Sequence, residues 1–366
     1  MNRRTTKTLL AYSLVASAAL LGSLAASLPA DAQTKPVPAL PYKISVFANS
    51  PTGISQPDSI VQWHDRIFVG FQNHVAKDGT DGKTSTIVEF SLDGKVRRTF
   101  TVPGHNDGLR IISDDDLWAL QNEDANPNLV VIELRSGGAK QFKFPPTPHG
   151  GGYDDMVVKD GNVYITASNP NLDAMGNNIF PALVRASLSG SDVVLETVLN
   201  GNATATDIPT GAPVNLLLTD PDSLTIDPRG NIVLDSQADS VLEFIRHPLT
   251  DEQTVGQLKI TTTLLGTDGK PLPITLDDTA FAPSPKAFLL VTDVSAGIIY
   301  RIDAGTFGFE PGTAYSASDT LGLVGTLNLD NGLVTPVVTG FGSARGLLFV
   351  TPHRDDDRDD DRRDDR

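Results

Sequence analysis

Pro221-Asp222-Ser223-Leu224-Thr225-Ile226-Asp227-Pro228-Arg229-Gly230-Asn231-Ile232-Val233-Leu234-Asp235 is the stretch whose reading decides the fold. Ser223 to Ile226 and Ile232 to Leu234 are β-branched, strand-forming runs, and the five residues between them are turn formers, so the segment predicts a hairpin. Ser240 to Ile245 follows after a short polar link as a third strand. Asp222 stands at the entrance to the first strand and Asp235 closes the second.

The same grammar recurs along the chain. Repeats open at Asp58, Asp107, Asp155, Asp222 and Asp278, separated by 49, 48, 67 and 56 residues. A repeat of about four short strands at this period predicts propeller blades rather than solenoid coils. Phe288 to Asp293 and Ile298 to Ile302 read as the later strands of the fifth repeat. The long third interval contains Asn200 to Pro213, rich in Gly, Thr, Ala and Pro, which reads as a loop insertion. Strands beyond Asp303 supply a sixth blade whose order the pattern does not fix. Closing such a ring commonly uses both chain ends, so Lys43 to Phe47 is expected beside C-terminal strands. The expectation is an all-β, six-bladed propeller over residues 42–353, with seven blades as the alternative count.

Outside the repeats the chain changes character. In residues 1–32, Arg3, Arg4 and Lys7 precede an apolar run from about Leu9 to Leu28, and Ala30-Asp31-Ala32 offers a small-x-small cleavage pattern. This reads as a signal peptide and predicts a periplasmic or secreted protein; a retained membrane anchor is the alternative. Residues 33–41 read as a proline-marked linker. Residues 354–366 contain only Asp and Arg, which predicts a disordered, solvated tail, or a cation-binding one.

Composition removes several function classes. The 366 residues carry a formal charge of −16, which argues against nucleic acid as a partner. Cysteine is absent, so thiol and zinc-thiolate chemistry is excluded. No nucleophile elbow, Walker loop or His-Glu-x-x-His helix occurs. No second apolar run of spanning length follows residue 32, so no stable membrane insertion is expected after cleavage.

The candidate site is the channel mouth. The innermost strand of each blade lines the channel, and five of its entrances are acidic: Asp58, Asp107, Asp154 or Asp155, Asp222, and Asp277 or Asp278. Carboxylates converging on one opening raise each other's pKa unless a cation lies among them, and oxygen donors suit calcium. The alternative reading is that such residues cap turns or tie neighbouring blades through backbone N–H groups. His105 and His149 precede blade entries and could serve as general bases or be loop histidines.

Asn106-Asp107-Gly108, Asp155-Met156, the 221–227 stretch and the Gly230-Asn231-Ile232 turn resemble the senescence-marker-protein/gluconolactonase family of six-bladed propellers, and also NHL-type repeats. The resemblance implies a divalent metal held by a Glu of the first inner strand, an Asn of the third and an Asp of the fourth, with an Asn of the second beside the substrate. Asp222 and Asn106 match in type. Asp58 and Asp155 stand at the Glu and Asn positions and depart from them. Under this resemblance Asp58, Asp155 and Asp222 hold the metal, Asp155 doubling as base. Two functions are therefore expected: a non-catalytic propeller binding a divalent cation in its channel and a small-molecule or protein ligand at its mouth, or a metal-dependent hydrolase of lactones or small esters.

Overall fold

In the computed structural model, which describes residues 35–351, strand pairing begins where the opening hairpin predicts it. Pro221–Ile226 pairs antiparallel with Ile232–Ser236, which pairs with Val241–Arg246 and then Thr254–Lys259. The turn between the first two is fixed by its own side chains. Asp227 Oδ1 accepts the N–H groups of Arg229 and Asn231 at 2.9 and 2.8 Å, its Oδ2 accepts Asn231 Nδ2 at 2.7 Å, and Gly230 takes φ +81°. That positive φ is the reason glycine stands there.

The strands pair into five hydrogen-bonded sheets, whose antiparallel ladders divide into six four-stranded units with a few added edge strands. Pro57–Trp63, Arg66–Phe71, Thr84–Ser91 and Val96–Pro103 form the first. Asn106–Ile111 through Ala139–Lys143 form the second, and Gly152–Lys159 through Asp192–Asn200 the third; a single parallel bridge, Lys143 to Asp192, links these two at their outer strands. The opening hairpin starts the fourth. Their inner strands touch one another in cyclic order, ending with Ala344–Val350 against Pro57–Trp63. The chain is an all-β propeller.

Six apolar clusters lie one between each consecutive pair of sheets. Phe68, Ile87 and Val102 meet Leu117, Val130 and Ile132 between the first and second. Phe71, Val88 and Phe90 meet Phe288, Leu290 and Ile299 between the last and the first, closing the ring without a break in burial. A sheet buried on both faces reads as a near-continuous apolar run, which is why Phe288–Asp293 is buried at every residue.

The fifth and sixth sheets interleave, and this corrects the strand order expected from the repeats. Thr279–Phe281 is the inner strand of the fifth sheet, but it pairs with Ala314–Ser318, followed by Leu323–Leu327 and Leu333–Thr339. Phe288–Asp293 and Ile298–Asp303 belong instead to the sixth sheet, between Ala344–Val350 inside and Lys43–Asn49 outside. The chain crosses from one sheet to the other in the connection 282–287, which carries Pro283 and Pro285. Lys43–Asn49 does join a C-terminal strand, as expected.

Two segments read as unstructured carry strands. Val37–Pro38, within the proline-marked segment, pairs with Val338 and Thr339. Within Asn200 to Pro213, Thr204–Asp207 pairs parallel with the outer strand of the fourth sheet and antiparallel with Pro213–Asn215, covering an edge. Residues 1–32 and 354–366, read as leader and tail, lie outside the described residues. Among the described residues no helix is long and apolar enough to cross a membrane.

Neighbouring inner strands approach closely at glycine. A Cβ on Gly346 would sit 2.4 Å from Asp58 O, and one on Gly108 2.3 Å from Asp154 O. Gly346→Ala should therefore cost about 1–3 kcal/mol by overpacking. A denaturation midpoint that did not move would show that the inner strands can spread.

Candidate functional site

Each inner strand breaks register at the same two residues. Five of these are β-bulges or their equivalent, at Asp58-Ser59, Asp107-Gly108, Asp154-Asp155, Asp222-Ser223 and Arg345-Gly346. Asp277-Asp278 takes the same place just before Thr279–Phe281. A bulge sets two residues against one and re-aims their side chains. The first residue of each pair lines one cavity of about 370 Å³, so Asp58, Asp107, Asp154, Asp222, Asp277 and Arg345 form a ring around the mouth. The second residue can serve the scaffold: Asp155 Oδ2 accepts Leu224 N–H at 2.9 Å and Asp278 Oδ2 accepts Leu347 N–H at 2.7 Å, each tying one inner strand to the next.

The connections that follow the second strands roof this ring. They contribute Lys77, Glu123 and Gln237. Glu123 is buried, and Lys77 Nζ lies 2.5 Å from its Oε1. Arg345 Nη1 is 3.0 Å from Asp58 Oδ2, which also accepts Gln72 Nε2, and Arg345 Nε is 3.5 Å from Asp277 Oδ1. In all, ten carboxyl side chains and three basic ones line the cavity, so full ionisation would leave an excess of seven negative charges in a confined space.

The carboxyl groups divide the charge unequally. Burial first, and then the charge of Asp154, pushes Asp107 well above the usual carboxylate range. Burial and the charge of Asp222 do the same to Asp154, and burial and Asp277 to Asp222. Burial also opposes ionisation of Glu123, but Lys77 and hydrogen bonds from Asp154 and Asp107 outweigh it and hold Glu123 at about 2. Asp107, Glu123, Asp154 and Asp222 thus neighbour one another as a chain of carboxyl groups in which Glu123 is pushed toward the charged form and the other three toward the neutral one. Behind it Asp235, 2% exposed and without a hydrogen-bond partner on either oxygen, is raised well above its ordinary range by burial and then by Asp277.

The residues singled out from sequence fall in different places. Asp58 and Asp222 are in the ring. Asp155 also lines the cavity and ties one inner strand to the next, while its neighbour Asp154 takes the ring position. Asn106 is fully buried, donates from Nδ2 to Leu120 O at 2.9 Å and packs behind Gly70, away from the cavity lining. His149 is 1% exposed, its Nε2 2.9 Å from Gly152 O and its ring edge-on to Tyr153; burial pushes its pKa down. His105 lies beneath the mouth, with Nε2 turned toward Asp107 and Glu123 at 3.8 and 3.7 Å.

Arg345, Lys77 and Glu123 were not singled out. Arg345-Gly346-Leu347 repeats Asp107-Gly108-Leu109 with the charge reversed, a signal visible in the sequence. Lys77 and Glu123 occupy loops of unequal length, where no spacing marks them.

No family model matches the sequence, and no curated protein matches it. Solved structures with a similar course of chain include virginiamycin B lyase from Staphylococcus aureus, at 12% identity over 86% of this chain and 89% of that one, TM-score 0.47. A periplasmic gluconolactonase from Pseudomonas aeruginosa matches at 13% identity over 81% and 88%, TM-score 0.41. A protein of unknown function from Bacteroides thetaiotaomicron matches at 11% identity over 85% and 70%, TM-score 0.49. At these identities the chemistry of the mouth rests on its own side chains.

Proposed function

We propose that this propeller holds a divalent cation in its channel mouth and presents it to a small polar ligand. The observation that carries the reading is the carboxyl chain Asp107–Glu123–Asp154–Asp222, whose members cannot all ionise together without a cation among them. Carboxylate oxygens suit calcium and similar hard ions, and the cavity is of the size that takes a small molecule. Export through residues 1–32 belongs to the same proposal and rests on the leader pattern alone.

Calorimetric titration of calcium, manganese and cobalt(II) into the protein, beside Asp107→Asn, tests it. Binding near one ion per chain for at least one of the three, weakened roughly 10-fold or more in the variant, is expected. Absence of binding heat for all three in the unsubstituted protein would overturn it.

One observation favours a hydrolytic reading of the same site. Asp107, pushed toward its neutral form by burial and the charge of Asp154, stands beside Glu123, pushed toward its charged form by Lys77, and an acid beside a base is the pairing that hydrolysis of a lactone or small ester requires. A bound divalent ion supplies Lewis acidity toward a carbonyl oxygen. Glu123 would take a proton from water, and Asp107 or Asp154 would return one to the leaving oxygen.

A further inference from the structure

Among the described residues His105 is the one histidine aimed at the carboxyl chain, and its surroundings fix the role of one ring nitrogen. Nδ1 lies 2.8 Å from Val75 O. A carbonyl only accepts, so Nδ1 carries a hydrogen, and Nε2 is the ring nitrogen left to meet an ion. The side chain is 4% exposed, and Nε2 has no hydrogen-bond partner. It faces Asp107 Oδ2 and Glu123 Oε1 at separations too long for hydrogen bonds. One donor atom from each of the three lies within 4.8 Å of the others.

A buried ring nitrogen without a partner, directed at carboxyl oxygens, is an arrangement that a cation completes. Two bonds of about 2.1 Å to a shared ion span up to roughly 4 Å, and the observed separations fall inside that limit. The carbonyl behind the imidazole is the outer partner that metal-bound histidines ordinarily have. We propose that the cation of the mouth sits off the channel axis, on His105 Nε2, Asp107 and Glu123, and is a transition-metal dication of the zinc class rather than calcium. An imidazole donor favours zinc, cobalt or nickel, whereas calcium takes oxygen alone. The inference rests on the reading of the mouth as a cation site and names its seat and the ion's class. Neither His105 nor Glu123 is among the positions that the family resemblance assigns to metal.

Lys77 Nζ lies against Glu123 Oε1, the same oxygen that faces His105. Its side chain is 51% exposed, so the ammonium can turn to solvent when an ion enters. Removing it removes a competing charge.

Cobalt(II) titration followed by visible absorption tests the seat, with calcium calorimetry alongside and far-UV circular dichroism to establish that each variant is folded. The variants are His105→Asn, Glu123→Gln, Lys77→Met and Asp222→Asn. Asparagine keeps a donor where Nδ1 stood and deletes Nε2. The expected result is one cobalt ion per chain with ligand-field bands, abolished in His105→Asn, at least 10-fold weaker in Glu123→Gln, tighter in Lys77→Met and retained in Asp222→Asn. Cobalt or calcium binding that His105→Asn leaves unchanged and Asp222→Asn abolishes would overturn this seat while leaving the channel cation standing. Binding of neither ion would overturn both. A histidine ¹⁵N spectrum showing His105 Nε2 protonated and unmoved by added zinc would also overturn the seat.

Discussion

Arg345→Met should lower the free energy of unfolding at pH 7.5 by about 3–5 kcal/mol, the scale for removing one partner of a buried ion pair. Arg345 fills the one ring position that is not acidic. Its loss leaves Asp58, 4% exposed, with Gln72 as its remaining side-chain partner, and takes a positive charge from beside Asp277. Neutralising Asp58 as well should restore most of the loss, because Asp58→Asn removes the stranded charge. Urea denaturation of the two single variants and the double variant measures this. A double variant as unstable as Arg345→Met alone would mean that the arginine acts by packing and not by charge.

The second large effect concerns Glu243, which lies outside the mouth on Val241–Arg246. It is fully buried, accepts Gln257 Nε2 at 2.8 Å on one oxygen, and leaves the other without a partner. Burial pushes its pKa up to about 8. A carboxyl raised in the folded state contributes stability that is complete below its unfolded pKa and is lost as pH rises through the folded value. Glu243→Gln is neutral at every pH, so the variant should gain on the unsubstituted protein by about 1.4 kcal/mol per pH unit between pH 5 and 8, and no further above that. The raised carboxyls of the mouth are common to both proteins and cancel in the difference. Stability curves collected at half-unit intervals would show this, and a constant difference across the range would mean that Glu243 is already ionised when folded.

The opening hairpin was legible because its turn is chemical as well as rhythmic: Asp227 supplies three hydrogen bonds and Gly230 the left-handed φ. The acidic entrances were legible for the same reason, since a bulge repeated at one level puts like residues at like positions. Which of two adjacent aspartates also ties the strands was not. At Asp154-Asp155 the bulge decides it, and a bulge is a property of strand pairing that a single strand does not display. The interleaving of the last two sheets escaped because repeat reading takes strands in chain order, and the crossing after Phe281 leaves the strand pattern on either side unchanged. Lys77 and Glu123 reach the mouth from loops whose lengths differ, so only the folded chain brings them together.

The most direct measurement is an anomalous difference map from crystals of the protein soaked in manganese chloride. The account predicts one strong peak in the mouth within bonding distance of Glu123 and at least one ring aspartate, and the off-axis seat places it against His105 Nε2. An ordered ring with no peak among its carboxylates at millimolar manganese would contradict the claim that this channel holds a divalent cation.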